Sequence, residues 1–245
     1  MSHPIPAGPL ICYHGVMQLD LVGGAHTSVT IAPSKIIGIG QNYRAHAAEM
    51  GKGLPDEPLL FMKPPSALLG DGAQIARPAG YERVDYEGEL AVIIGTIASR
   101  VRRVDALQHV LGFTCVNDVT VRDLQKKDGQ WIRAKGFDGF CPIGPRVVAG
   151  LDPSNLRITT RVNGSVRQDS TTADLIFDVP TLISFVSHHM TLMPGDIIST
   201  GTPAGVGNLA PGDVVEVEIE HIGVLRNHII ARADDAGPAT RLWMM

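Results

Sequence analysis

Asp85-Tyr-Glu-Gly-Glu-Leu-Ala-Val-Ile-Ile94 joins an acidic segment directly to a run of aliphatic residues. The aliphatic run from Leu90 to Ile94 predicts a buried β-strand. Because residues i and i+2 of a strand project from the same face, Glu87 and Glu89 are expected to lie side by side. Two neighbouring carboxylates repel each other unless a cation or a shared proton compensates them. The stretch therefore predicts a strand that carries an acidic pair in need of compensation.

A third carboxylate, Asp118, ends another predicted strand and completes a candidate cation site. Three carboxylates without a thiolate or an imidazole are the ligands that hard cations such as Mg²⁺ and Mn²⁺ prefer. The alternative is a solvated acidic edge, which we expect for Glu216, Glu218 and Glu220. At this point both interpretations are open.

His46 and Glu49 form a candidate base pair on a helix that we predict from Asn42, as N-cap, to Met50. Their i and i+3 spacing lets the side chains meet. A glutamate that accepts from one imidazole nitrogen leaves the other nitrogen as a base. The alternative is an ordinary surface pair.

Two further segments could contact an anion. Lys135 lies downstream of Arg122 and Gln125, and it would neutralise charge near a carboxylate-rich site or hold a substrate anion, unless it is simply solvated. The segment Gly201-Thr-Pro-Ala-Gly-Val-Gly207 could offer backbone N–H groups, since glycine allows a close approach. It lacks the Gly-Lys-Ser/Thr ending of a phosphate-binding loop.

The composition of the chain argues against nucleic acid and membranes as binding partners. The 245 residues include 21 basic and 25 acidic side chains, for a net charge of −4, without a basic run that would favour nucleic acid or an anionic membrane. No apolar run approaches the roughly 18 residues that span a bilayer. No Lys or Arg precedes Lys35, so we expect no secretory or transit leader. The three isolated cysteines suit a reducing compartment, and together these features predict a cytoplasmic protein.

The pattern along the chain predicts a mostly β protein with a few helices. We expect one catalytic domain over residues 1–245, with a less regular segment at 1–34 and a core at 36–230. Predicted strands are 35–40, 59–62, 84–97, 111–116 and 214–220, with a hairpin turn at Asn163-Gly164. Predicted helices are 104–109, 120–127 and 178–190, and predicted turns are 194–196 and 211–213.

Taken in order, these segments resemble the fumarylacetoacetate hydrolase family, and in particular its short single-domain members. The stretches that carry the resemblance span residues 36–228. They are Gly38-Ile-Gly-Gln-Asn-Tyr-Arg-Ala-His-Ala-Ala-Glu49, Phe61-Met-Lys-Pro-Pro-Ser66, Asp85 to Glu89, Asn117-Asp118, Arg122-Asp-Leu-Gln125, Lys135-Gly-Phe-Asp-Gly-Phe-Cys-Pro-Ile-Gly-Pro145, Asn163-Gly164, Met193-Pro-Gly-Asp196 and Gly201 to Gly207.

The resemblance implies the family's mixed β-sandwich roll, a homodimer, and the following site residues. Glu87, Glu89 and Asp118 would bind Mg²⁺ or Mn²⁺. His46 and Glu49 would activate water, Lys135 would act on the substrate, and Arg122, Gln125 and Thr202 would bind it. The sequence departs from the family pattern at Gly139, where we expect Thr or Ser, so no hydroxyl contact is expected there.

The expected chemistry starts from a 2-oxo acid, whose carboxylate and keto oxygens can chelate a cation that stabilises an enolate. Water attack at C4 of a 2,4-dioxo acid would then break the C3–C4 bond, as in an acylpyruvate or fumarylpyruvate hydrolase. Oxaloacetate decarboxylation and isomerisation of a 2-hydroxyhepta-2,4-diene-1,7-dioate are alternatives on the same site, in that order. A non-catalytic binding protein is a further alternative, which the intact triad and dyad disfavour.

Overall fold

The fold was analysed in a computed structural model, which describes residues 15–45 and 53–232. The strands in these ranges are β1 Met17–Val22, β2 Ser28–Ile31, β3 Ile36–Gly40, β4 Leu59–Lys63, β5 Leu68–Leu69, β6 Gln74–Arg77, β7 Val84–Tyr86, β8 Gly88–Ile94, β9 Val110–Asn117, β10 Thr120–Val121, β11 Cys141–Val148, β12 Arg157–Val162, β13 Ser165–Thr171, β14 Ile197–Ser199, β15 Gly207–Asn208, β16 Val214–Ile219 and β17 Gly223–Ala231.

Helices are few in the same ranges. The α-helices that lie wholly within them are α1 Arg122–Asp128, α2 Ile132–Lys135 and α3 Val179–His189, and the 3₁₀ helices are Pro65–Ala67, Arg103–His109 and Thr172–Asp174. The mostly β architecture predicted from the sequence is therefore confirmed. None of the helices in the described ranges has the length and apolar character needed to cross a membrane.

The described strands form three sheets. The largest follows the order β2-β1-β11-β9-β8-β14-β3-β4, with β5 paired to β11. A second sheet follows the order β13-β12-β16-β17-β6, and a short third sheet the order β10-β7-β15. The largest sheet is mixed, because β14 pairs parallel with β3 and antiparallel with β8.

Strand β8 lies at the centre of the core because both of its faces are apolar. Leu90, Val92 and Ile94 pack into a cluster with residues of α3 and of the second sheet. Ala91 and Ile93 face the opposite side, where they pack against the first strands of the chain. Every residue of β8 is buried, as the uninterrupted aliphatic run predicts.

Most of the local predictions are confirmed. Asn163 and Gly164 connect β12 to β13 with φ angles of 52° and 76°, which suit a tight hairpin turn. Asp178 caps α3 by accepting a hydrogen bond from the backbone N–H of Thr181 at 3.0 Å. Strand β16 alternates half-buried and buried positions, in agreement with the predicted half-solvated strand.

Three predictions need correction. The strand predicted over 84–97 is two strands, because the chain leaves regular pairing at Glu87. The segment predicted as a helix at 120–127 begins as β10, since its first two residues pair with β7. The side chain of Asn42 does not serve as the predicted N-cap: its amide bonds Phe177 and Thr200 instead. Arg44 and Ala45 are helical, and the remainder of the predicted 42–50 helix lies outside the described residues.

Asp196, in the predicted turn before β14, ties the start of β3 to β14. Its buried carboxylate accepts from the ammonium of Lys35 at 2.5 Å, from the backbone and hydroxyl of Ser34 at 2.8 Å each, and from the backbone of Met193 at 2.8 Å. Burial raises the pKa of this carboxyl, but the hydrogen bond from Lys35 and the other donors outweigh burial and leave the pKa below its ordinary value. Asp196 is therefore expected to stabilise the fold in its ionised form.

Replacing this carboxylate tests that role. Asp196→Asn should lower the free energy of unfolding by about 2 kcal/mol at pH 7, the worth of hydrogen bonds to a charged group. Because the folded pKa is depressed, the difference from the unsubstituted protein should persist above pH 3.8 and shrink as the pH falls through the folded value. Urea denaturation at several pH values measures it, and a difference that does not change with pH contradicts the assignment.

Candidate metal centre and substrate cavity

Glu87, Glu89 and Asp118 converge in the structure. One carboxylate oxygen from each lies within 4.8 Å of the others, and all three side chains are buried. An all-oxygen donor set of this kind, taken out of water, fits a hard divalent cation better than it fits zinc or copper. The interpretation of these residues as a solvated acidic edge is therefore wrong.

Strand pairing brings the three carboxylates together. Gly88 pairs with Asn117 and Glu89 pairs with Val116 in the β8–β9 ladder, which places Asp118 beside Glu87. The backbone N–H of Asp118 donates to the carbonyl of Glu87 at 2.8 Å. The side chain of Asn117 accepts from the backbone N–H of Glu87 at 2.9 Å. Glu89 thus projects from a paired strand, and Glu87 and Asp118 project from hydrogen-bonded backbone at the strand ends.

Gly88 separates the two glutamates because another sheet packs directly on it. A Cβ atom added there would lie 2.1 Å from Oγ1 of Thr160 on β12 and 3.2 Å from Val217 on β16. The backbone N–H of Gly88 donates to Gln168 on β13 at 3.0 Å. The glycine therefore lets the second sheet support the acidic pair from behind.

Within the described part of the chain, the donors that hydrogen-bond to Glu89 are neutral. Ser199 donates to its Oε2 at 2.5 Å and the backbone N–H of Gly201 donates to the same atom at 2.8 Å. Burial raises the pKa of Glu89 well above its usual range, and the charges of Asp118 and Glu87 raise it further. A cation among the three carboxylates would relieve this repulsion, which supports the fit of a metal to the cluster.

Two buried lysines compensate the other carboxylates. The ammonium of Lys135, at the end of α2, donates to Asp118 at 2.5 Å, to Glu87 at 2.9 Å and to the hydroxyl of Thr120 at 2.8 Å. Burial lowers the pKa of Lys135, but the carboxylates of Asp118 and Glu87 outweigh burial and leave it above the ordinary value. Lys63, at the end of β4, contacts the other oxygen of Asp118. The interpretation of Lys135 as a solvated lysine is therefore wrong.

Arg122 links the cluster to the substrate residues predicted on α1. Its guanidinium contacts Asp85 at 2.7 Å and Glu87 at 2.6 Å, and it donates to the carbonyl oxygen of Gln125 at 2.8 Å. Asp85 is also paired with Arg83 at 2.8 Å. The four carboxylates of the triad and Asp85 are thus matched in number by Lys63, Lys135, Arg122 and Arg83, although none of these ion pairs involves Glu89.

The glycine-rich loop after β14 supports the site through hydrogen bonds of Gly201 and Thr202. Thr202 donates to the carbonyl of Gly88 at 3.0 Å and accepts from the amide of Gln168 at 2.7 Å. The N–H of Gly201 is directed to Glu89, so this donor supports a carboxylate rather than a substrate anion, contrary to our expectation for the loop. Gly201 has a φ of 101°, a conformation that favours glycine.

A cavity of about 180 Å³ opens directly on the carboxylate cluster. Its described walls include two of the acidic residues and every predicted substrate residue of α1 and the glycine-rich loop. They are Ile39, Gly40, Gln41, Phe61, Glu87, Glu89, Arg122, Gln125, Lys126, Trp131, Lys135 and Thr202. The rings of Phe61 and Trp131 lie 5.4 Å apart, and the Lys135 ammonium lies 4.6 Å from the Phe61 ring.

Two further sequence predictions concern Gly139 and the pair His46 and Glu49. Gly139 has a φ of 77°, so the position where Thr or Ser was expected needs a conformation that favours glycine. His46 and Glu49 lie outside the described residues, and their role stays a prediction. Gly40 and Gln41 line the cavity, and Arg44 is helical. The described chain therefore lies at the cavity wall five residues before His46.

Sequence reasoning missed Lys63 and two supports of the acidic pair, Ser199 and Gln168. Lys63 is a lysine at the end of an apolar strand and directly before Pro64-Pro65, which is the one local signal that could have singled it out. The contacts of Ser199 and Gln168 are formed with residues 110 and 80 positions away. No local pattern marks such partners.

A protein-family model described as fumarylacetoacetate (FAA) hydrolase C-terminal matches residues 35–230. The chain therefore belongs to the fumarylacetoacetate hydrolase family, as the resemblance implies. It is 45% identical to oxaloacetate tautomerase YisK of Bacillus subtilis over 211 residues, which cover 80% of this chain and 70% of the tautomerase.

Two solved structures share the fold. The 2-hydroxyhepta-2,4-diene-1,7-dioate isomerase from Mycobacterium marinum is 42% identical, with a TM-score of 0.78 over 84% of this chain and 81% of that one. Fumarylpyruvate hydrolase from Pseudomonas aeruginosa, in complex with Mn²⁺ and pyruvate, is 30% identical, with a TM-score of 0.82 over 91% of this chain and all of that one (100%). These relatives are enzymes, and the predicted family fold is confirmed.

The cluster predicts that metal binding depends on each of its three carboxylates. Glu89→Gln should weaken Mn²⁺ binding by more than about 100-fold, because a ligand is lost rather than a supporting partner, whose loss costs about 10–100-fold. Isothermal titration of the metal-free protein measures the affinity. Glu218→Gln removes a half-exposed carboxylate paired with Arg161 and should leave the affinity unchanged. Equal affinities for the two variants contradict a metal site at the cluster.

Proposed function

We propose that the protein is a Mg²⁺- or Mn²⁺-dependent hydrolase that cleaves a carbon–carbon bond in a short 2,4-dioxo acid of the acylpyruvate or fumarylpyruvate type. The observation that carries this proposal is the convergence of Glu87, Glu89 and Asp118 on a cavity lined by cationic and apolar side chains. The Mn²⁺ and pyruvate in the neighbouring fumarylpyruvate hydrolase support it, since pyruvate is a product expected from such a substrate.

The charge of the site favours a substrate with a carboxylate. Glu87, Glu89 and Asp118 would hold the cation, which would act as a Lewis acid toward the 2-oxo group of the substrate. Because the described carboxylates are already balanced by lysine and arginine side chains, the loaded site carries a net positive charge. Such a site attracts a small anion and binds a neutral diketone less well.

Four side chains of the cavity wall are assigned to substrate binding and positioning. The carbonyl oxygen of Gln125 accepts from Arg122, so its amide NH₂ is the group that can donate to a substrate carboxylate. Thr202 donates its single O–H to Gly88 and accepts from Gln168, so it must release Gly88 before it can donate to a substrate. Lys135 must release one of its three acceptors before it can donate to a substrate, so its first role is to hold Glu87 and Asp118 in place.

Hydrolysis also needs a base that deprotonates water, and we assign this role to His46 with Glu49 as its partner. The i and i+3 spacing of the pair allows the carboxylate to orient the imidazole. Hydroxide would add to C4, the C3–C4 bond would break with its electron pair left on C3, and a proton would return to C3, which gives pyruvate and a carboxylic acid. The apolar rings of Phe61 and Trp131 would shield the cavity from bulk water.

Tautomerisation or isomerisation of a 2-oxo diacid is the second candidate function. The observation that favours it is the 45% identity to an oxaloacetate tautomerase and the 42% identity to a heptadienedioate isomerase. These reactions, like oxaloacetate decarboxylation, need no attacking water. Tautomerisation still needs a base to move a proton, whereas only hydrolysis needs a base that generates hydroxide.

Replacing His46 tests its role as the base that activates water. His46→Ala should lower the rate of acetylpyruvate hydrolysis by about 10²–10⁴-fold, the usual contribution of a general base. The decarboxylation of oxaloacetate, which needs no attacking water, should fall much less. Steady-state assays in the presence of Mg²⁺ give both rates, with His188→Ala as the exposed-histidine control. Equal and small losses for all reactions would show that His46 and Glu49 form only a surface pair.

The outer wall of the cavity predicts a preference between substrates of different charge. Lys126 lines the cavity and is exposed, whereas its neighbour Lys127 on α1 is exposed outside it. Lys126→Met should raise the KM for the dianion oxaloacetate about two- to fivefold more than the KM for acetylpyruvate, because an exposed charge pair is worth up to ~1 kcal/mol. Lys127→Met should change neither value, and equal effects of the two variants contradict a role for Lys126.

The predicted homodimer and the single catalytic domain over 1–245 belong to the same proposal. Light scattering of the purified protein determines the number of subunits, and limited proteolysis determines whether one folded unit carries the activity.

A further inference from the structure

Lys63 is a fully buried lysine that the proposed reaction does not use. Its side chain has no exposed area, and it does not line the substrate cavity. Its ammonium contacts Oδ1 of Asp118 and donates to the carbonyl of Val119 at 3.3 Å. Burying a charge costs free energy unless the charge is paired and hydrogen-bonded. The burial of this lysine therefore indicates a specific role.

The carboxylate of Asp118 lies between two lysines with different surroundings. Oδ1 contacts Lys63, which does not line the cavity. Oδ2 accepts from Lys135, whose ammonium also bonds Glu87 and lines the cavity. Oδ2 is therefore the oxygen that shares a cationic partner with Glu87, and Oδ1 is the oxygen held by Lys63.

The local backbone holds Lys63 at this place. It ends β4, where it pairs with Ile36 of β3, and Pro64 and Pro65 follow it. A Cβ atom at Gly136 would lie 2.9 Å from Pro64, so this turn packs closely against the residue that follows Lys135. Lys63 is thus fixed by a sheet and a packed turn, whereas Lys135 belongs to the wall of the cavity.

We propose that Lys63 is a positioning residue of the metal centre: its ammonium holds Oδ1 of Asp118 and thereby presents Oδ2 to the cation. The inference rests on the proposed function, because it requires that the triad binds a metal. It adds a residue that touches neither the substrate nor the cation. Carboxylates that bind metals are commonly held by such partners, whose loss costs about 10–100-fold in metal affinity.

The direction in which metal affinity changes when Lys63 is replaced distinguishes a positioning role from a purely electrostatic one. As a nearby positive charge, Lys63 repels a divalent cation, and its removal would tighten metal binding. As a positioning residue, it orients a ligand, and its removal weakens metal binding. Metal affinity therefore moves in opposite directions under the two roles.

Lys63→Gln tests the proposal, since glutamine keeps a hydrogen-bond donor without the charge or the reach of lysine. Mn²⁺ binding to the metal-free variant, measured by isothermal titration, should be about 10–100-fold weaker than in the unsubstituted protein. Lys35→Gln is the matched control, because Lys35 also pairs with a buried carboxylate, that of Asp196, away from the cluster. Its Mn²⁺ affinity should be unchanged, although thermal unfolding should show a loss of stability in both variants.

The titrations of the variant and of the unsubstituted protein test the role of Lys63 and the metal centre separately. Equal or tighter Mn²⁺ binding by folded Lys63→Gln overturns the proposal for Lys63 alone. Absence of Mn²⁺ binding by the unsubstituted protein overturns the metal centre itself.

A crystal structure of the Mg²⁺-loaded protein provides a test that needs no variant: Lys63 should remain hydrogen-bonded to one oxygen of Asp118 while the other oxygen binds the cation. A cation bound to the oxygen that faces Lys63, or a Lys63 side chain turned away, overturns the proposal.

Discussion

Three carboxylates in one buried volume repel each other, and much of the surrounding structure provides the compensation. Lysine side chains reach Asp118 from two separate elements, β4 and α2, and Arg122 reaches Glu87 from α1. Among the described residues, a hydroxyl and a backbone N–H hold Glu89 in place of a cationic side chain. The cluster therefore retains one carboxylate whose charge is poorly compensated, and this is the position at which a cation gains most.

The same constraint explains why Glu89 lies on a paired strand and why Glu87 and Asp118 lie directly at strand ends, where the backbone N–H of Asp118 bonds the carbonyl of Glu87. A flexible loop would let repelling carboxylates move apart into water, whereas the β8–β9 ladder and the sheet packed behind Gly88 prevent this. The free energy that holds them together comes from the apolar core around β8, where Leu90 and Val92 pack against α3 and the second sheet. Stability supplied by the core thus preserves an arrangement that the charges alone would oppose.

The sequence predicts those parts of the fold and of the site that depend on residues close together in the chain. The spacing of Glu87 and Glu89, the cap at Asp178 and the turn at Asn163-Gly164 each depend on residues a few positions apart, and the structure contains all three. The break between β7 and β8 was not predicted, because an acidic residue at the edge of an apolar run carries no sign of where pairing stops. Lys63 lies 55 positions from Asp118, and only the folded chain shows that they meet.

Trp131 gives the cavity an optical property. It is one of two tryptophans in the sequence, its indole lines the cavity, and it stacks at a tilt on Phe61, whose ring also borders the Lys135 ammonium. Indole emission responds to the polarity and the charge of its surroundings. An anion that enters the cavity displaces water from this ring and changes the field that acts on it, so the protein contains a built-in fluorophore whose emission reports whether the cavity is filled.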